Sequence, residues 1–205
     1  MMPPAAASGA FTAAGASVGD MATLEQIPFQ TMSGETRTLG DWPGQVRLVV
    51  NVASRCGLTP QYAKLEELQR TYGDRGFTVL GFPSNQFLQE LSSNEAISEY
   101  CSTTWGITFP ILDKVRVNGR NAAPLYDRLR ETRDASGTAG RVTWNFEKFL
   151  VLPDGEVRRF RPNVEPDDPA IVSAIEAALP GASREDDTAG HSDASATRHP
   201  HRTAS

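Results

Sequence analysis

The chain has 205 residues, 39% of them hydrophobic and 22% charged, which suits one globular domain large enough to bury a core, with unstructured ends. A net charge of −5 and an isoelectric point near 5.3 exclude a basic nucleic-acid footprint, since phosphate binding needs clustered Lys and Arg. Two cysteines are too few for a disulfide-stapled secreted scaffold, so the expected compartment is a reducing cytoplasm and any cysteine chemistry is expected to be catalytic.

Residues 1–22 are rich in Ala, Gly and Ser and lack both a basic n-region and an unbroken apolar run, so they are expected to form a disordered leader, with Met21 a possible alternative start. No stretch approaches the ~18 apolar residues of a membrane span, and no membrane contact is expected. The folded domain is expected over 23–180. Thr23 to Leu39 reads as a β-hairpin around Ser33-Gly34-Glu35. Val46 to Val52 is an almost unbroken apolar, β-branched run after Pro43-Gly44, the pattern of a central strand covered on both faces. Thr59 then offers an N-cap and Pro60 a first helical position for a helix facing the core through Tyr62, Leu65, Leu68 and Tyr72. Phe77 to Phe82 is a second buried-type strand, so the unit predicts a right-handed crossover and parallel pairing.

Ser92-Ser93-Asn94-Glu95 has the spacing of a capping box and opens a helix over Ser93–Thr104, with Ile97 and Cys101 on its apolar side. A third helix is expected from Ala123 to Arg133. Phe146 to Leu152 and Val157 to Phe160 flank Asp154-Gly155, a strong hairpin signal, and a last helix runs from Asp167 to Leu179 with Pro169 in its first turn. The sum is an α/β fold, a mixed sheet flanked by helices. Residues 181–205 are expected to be a disordered tail. They hold all three histidines, His191, His199 and His201, which lack a cysteine or carboxylate framework and read as solvated; no metal or cofactor is expected.

Cys56, in Asn51-Val52-Ala53-Ser54-Arg55-Cys56-Gly57, lies four residues past the central strand, beyond the carboxyl end where α/β folds gather their sites. A helix N-terminus and the neighbouring Arg55 would each favour its thiolate. The competing reading is a buried small hydrophobe, the commoner fate of a free cysteine.

NVASRCGLT, GFPSNQF and WNFEKFLV occur in this order and resemble the three signature segments of the glutathione peroxidase family, over roughly Leu24 to Leu179. Most similar are bacterial members that use thioredoxin as reductant. The resemblance implies a thioredoxin-like fold and a thiol peroxidase reducing hydrogen peroxide and organic hydroperoxides. It makes Cys56 the peroxidatic cysteine, and Gln86, Trp144 and Asn145 the other members of the catalytic tetrad. Carboxamides and an indole N–H are neutral donors able to stabilise a thiolate and orient a peroxide. Cys101, in EYCSTTWGITFP, resembles the resolving cysteine of the thioredoxin-dependent members. A disulfide needs Cα atoms about 4.4–6.8 Å apart, so the Cys101 helix is expected to unfold locally in each turnover.

Three departures stand out. Ser84 replaces the cysteine of FPCNQF; LQELSSNE is slightly shorter than GGQEPGSNE and lacks its Pro; and the loop between Arg133 and Arg141 is short, implying a monomer. Expected partners are therefore a hydroperoxide and thioredoxin, with glutathione the alternative reductant. A peroxide sensor that relays oxidation to another protein needs the same two thiols. A non-catalytic thioredoxin-fold binding module would not need Cys56, Gln86, Trp144 and Asn145.

Overall fold

The structure, a computed structural model, describes residues 23–181. The leader, the alternative start at Met21 and the three histidines lie outside the described residues.

Short strands β1 (Phe29–Gln30) and β2 (Thr36–Arg37) pair antiparallel across a turn in which Gly34 takes φ +84°, so the expected hairpin exists but is only two residues deep. Leu24–Gln26, expected to be extended, forms a single 3₁₀ turn instead. The main sheet has four strands in the order β4-β3-β5-β6. Strand β3 (Val46–Val52) pairs in parallel with β4 (Phe77–Pro83) and antiparallel with β5 (Lys148–Val151), which pairs antiparallel with β6 (Val157–Phe160). All seven residues of β3 are buried, as its composition requires.

Alternation along β3 sends Val46, Leu48, Val50 and Val52 into one apolar layer and Val49 into the other. Helices α1 (Gln61–Tyr72) and α4 (Pro169–Ala178) cover the first layer with Tyr62, Leu65, Leu68, Ile171 and Ile175. Helix α3 (Pro124–Leu129) covers the second with Leu125, Tyr126 and Leu129. It is shorter than the periodicity suggests, because the amides of Glu131 and Thr132 bond three residues back and tighten the chain out of the helix.

Helix α2 (Asn94–Trp105) sits on the first layer but buries only Ile97 and Cys101. At roughly 1.5–3 kcal/mol for a fully buried aliphatic side chain, it is tethered far more lightly than α1. Its N-cap is Ser93, whose hydroxyl accepts from the Ala96 amide at 3.2 Å, so the expected Ser92–Glu95 capping box does not form. Gly106, at φ +62°, ends the helix in the left-handed conformation that glycine tolerates best.

Candidate active site

The site is assembled around the carboxyl end of β3. Asn51, fully buried, donates through Nδ2 to the Trp144 carbonyl at 3.0 Å and accepts at Oδ1 from the Glu147 amide at 3.2 Å. Its own carbonyl takes the Phe146 amide at 2.6 Å. One side chain and one peptide therefore fix Trp144 to Glu147 against the central strand. Phe146 takes φ +63°, an uncommon conformation for a bulky residue, and the paired part of β5 begins only at Lys148, two residues later than the apolar run suggests. The Ser84 amide meets the Val52 carbonyl at 3.1 Å, which brings the loop after β4 to the same place.

Cys56 is a free thiol, 7% exposed, in a chain of tight turns between β3 and α1. Thr59, expected to cap α1, braces this turn instead: its hydroxyl accepts from the Cys56 amide at 3.0 Å and donates to the Ala53 carbonyl at 3.1 Å. Pro60 is the N-cap and α1 starts at Gln61, five residues past the thiol. The sulfur accepts the Leu58 amide N–H at 3.4 Å. That amide belongs to the loop, so the α1 terminus, expected to face the thiol, is not what donates to it. Arg55 is exposed.

Trp144 is 41% exposed and its ring lies 5.0 Å from that of Phe87. Asn145 is fully buried; its Nδ2 donates to Gln89 Oε1 at 3.0 Å, and its Oδ1 has no hydrogen-bond partner among the described residues. The Gln89 carbonyl in turn accepts the Arg55 amide at 2.8 Å, so Gln89 touches both Asn145 and the turn that carries Cys56.

Gln86 does something else. Its Oε1 accepts the amides of Val117 and Asn118 at 2.6 and 2.7 Å, and its Nε2 donates to the Asn118 carbonyl at 3.0 Å. The carboxamide expected to face a peroxide is thus spent on pinning the 117–118 backbone, and the carboxamide that joins Asn145 is Gln89. The signal was present in the sequence: Gln89-Glu90 of LQELSSNE occupies the place of Gln-Glu in GGQEPGSNE. The neighbouring Leu88 stands at φ +59° and 87% exposed, where that pattern has small residues before its Gln.

Cys101 is 2% exposed and unbonded. Burial pushes its thiol up to about 11, the nearby Glu90 carboxylate pushes in the same direction, and the Tyr62 hydroxyl beside it pulls down. Both cysteines belong to one apolar layer. Among the described residues no group of three His, Cys, Asp or Glu is placed to hold a metal ion, and no helix is long and apolar enough to cross a membrane.

Residues 24–130, more than half of the chain, match the family model for glutathione peroxidase. The chain belongs to the glutathione peroxidase family. It is 47% identical over 169 residues to a thioredoxin/glutathione peroxidase of Escherichia coli K12, covering 72% of this chain and 92% of that protein. It is 45% identical over 164 residues to a hydroperoxy fatty acid reductase of Synechocystis, covering 77% and 96%. Among solved structures, T. cruzi GPX1 superposes with a TM-score of 0.62 at 30% identity, over 77% of this chain and 96% of that one. This glutathione peroxidase therefore has the thioredoxin-like fold expected of it and is a thiol peroxidase.

Proposed function

We propose that Cys56 is the peroxidatic residue, that Gln89, Trp144 and Asn145 surround it as neutral donors, and that Cys101 resolves the oxidised product with thioredoxin as the reductant. The observation that carries this reading is the Leu58 amide on the Cys56 sulfur, in a turn that hydrogen-bonds to Gln89 and through it to Asn145. The Cys56 thiolate attacks one oxygen of the hydroperoxide, the O–O bond breaks, and the departing alkoxide or hydroxide takes a proton, leaving a sulfenic acid on Cys56. The Cys101 thiolate attacks the Cys56 sulfur, the S–O bond breaks, the departing hydroxide takes the proton that Cys101 gave up and leaves as water, and the resulting disulfide is reduced by a dithiol through exchange.

In the closed helix Cys101 is a poor nucleophile, because its raised pKa keeps it protonated at neutral pH. Opening α2 returns the thiol to water and to an ordinary value near ~8.5, which activates it at the moment it reaches Cys56. The lightly anchored helix supports this order of events. The short loop after Arg133 and the two-cysteine composition support a monomer in the cytoplasm.

Two experiments test the reading. Peptide mapping of protein treated with one equivalent of hydrogen peroxide is expected to find a Cys56–Cys101 disulfide, and turnover with thioredoxin and its reductase is expected to exceed turnover with glutathione; two free thiols beside an over-oxidised Cys56 would sink the two-cysteine cycle. For the carboxamides, Gln89→Ala is expected to slow sulfenate formation by about 10²-fold, the scale of losing one preorganised donor. Gln86→Ala is expected to act mainly on thermal stability, by freeing the 117–118 backbone. The reverse ranking in rapid-mixing kinetics would return the role to Gln86.

A further inference from the structure

Glu90 has no place in the cycle above, yet it lies between its two halves. It is 7% exposed. Its Oε1 accepts the Ser54 amide at 3.1 Å and the Leu91 amide at 2.7 Å. Ser54 precedes Cys56 by two residues, and Leu91 precedes the Ser93 cap of α2 by two. One carboxylate oxygen thus joins the turn of the first thiol to the entry of the second thiol's helix. The other oxygen, Oε2, is shut away from solvent, and the Ser54 hydroxyl lies near the same carboxylate.

The groups facing Glu90 come from three elements: Tyr62 of α1, Cys101 of α2, and Lys114 of the segment after α2. The Lys114 ammonium is occupied by the carbonyls of Leu91 and Ser92. Burial dominates and raises the Glu90 carboxyl, opposed by its hydrogen bonds at Ser54 and Leu91 and by Lys114. In turn its negative charge raises both Cys101 and Tyr62.

We propose that Glu90 is a positioning residue for the resolving step: its buried carboxylate holds Ser54 and Leu91 in the closed arrangement while making that arrangement costly enough for α2 to open. The proposal rests on the reading of Cys101 as the partner of Cys56. An ionised carboxylate this deeply buried is better solvated outside the protein than inside, so opening α2 relieves it. The sign follows from linkage. A carboxyl raised in the closed state binds its proton more tightly there, so the closed state has its full stability at low pH and loses it as pH rises through the titration of Glu90. Ionisation of Glu90 favours opening.

Glu90→Gln keeps one carbonyl acceptor for the two amides and removes the charge. After a peroxide pulse, it is expected to convert Cys56 sulfenate to disulfide about tenfold more slowly than the unaltered protein and to over-oxidise at correspondingly lower peroxide, whereas sulfenate formation itself changes far less. Resolution at the unaltered rate overturns the proposal. An unaltered protein that forms no Cys56–Cys101 disulfide overturns instead the cycle on which the proposal rests, and the proposal with it. A second measurement needs no variant: hydrogen exchange of the α2 amides, corrected for intrinsic rates, from the ordinary carboxylate range up to neutral pH. Opening is expected to increase with pH across this window, below the range in which Cys101 itself titrates; pH-independent opening overturns the proposal.

Discussion

Cys56→Ser is expected to lower peroxide consumption by at least ~10³-fold in a coupled assay with thioredoxin, its reductase and hydrogen peroxide. A serine hydroxyl ionises far above neutral pH, so almost no nucleophilic anion is present, and a serine oxygen cannot store the oxidation as sulfenic acid. The expected contrast is Cys101→Ser, which should still consume about one equivalent of peroxide per chain in a first turnover and then stall or over-oxidise. Appreciable steady-state activity in Cys56→Ser would place the reacting atom elsewhere and remove the basis for every role assigned to Gln89, Trp144 and Asn145.

Glu147→Ala is expected to cost about 3–5 kcal/mol of stability, the scale for removing one partner of a buried ion pair. Glu147 and Arg159 are both fully buried at the side chain and meet at 2.6 Å, and Arg161 reaches the same carboxylate at 2.9 Å. The second Glu147 oxygen accepts from the amide and the hydroxyl of Thr143 at 2.8 and 3.1 Å. Removing the carboxylate leaves the Arg159 guanidinium buried, compensated by the carbonyls of Arg130, Thr132, Gly140 and Arg141 and by the Phe149 ring 5.1 Å away. For a domain of this size the loss corresponds to a fall in Tm of about 6–20 °C, readable by circular dichroism. A change within about 2 °C would mean that those four carbonyls and the ring suffice to hold the cation. Replacing the pair together by apolar residues of similar volume is expected to recover part of the loss, since desolvation of both charges is then avoided.

Much of this architecture was legible from periodicity. The apolar run of β3, the Asp154-Gly155 turn and the Pro169 start of α4 each carry a local signal that packing reinforces, and all three stand where the sequence puts them. The misreadings have in common that a side chain with a familiar local use bonds elsewhere, near by for Thr59 and the α2 cap and far along the chain for Gln86. Thr59 reads as a helix cap but bonds back to Ala53 and Cys56. Ser92 and Glu95 have capping-box spacing, but the chain enters the helix one residue later, where Ser93 meets Ala96. Gln86 lies inside the best-matching motif, and only the fold shows that the 117–118 backbone occupies its carboxamide. The bond from Ser54 to Glu90 was illegible, because the two are far apart in sequence.

Asn51 has a mechanical consequence. It ties the Trp144–Glu147 segment to the end of β3, the Ser84 amide ties the β4 loop to the same strand, and the Arg55 amide ties Gln89 to the Cys56 turn. These bonds join the groups proposed for the first chemical step to a single strand. Cys101 rides on a different carrier, a helix with two anchors. The proposed cycle thus asks one part of the chain to hold ångström-scale geometry and another, α2, to travel.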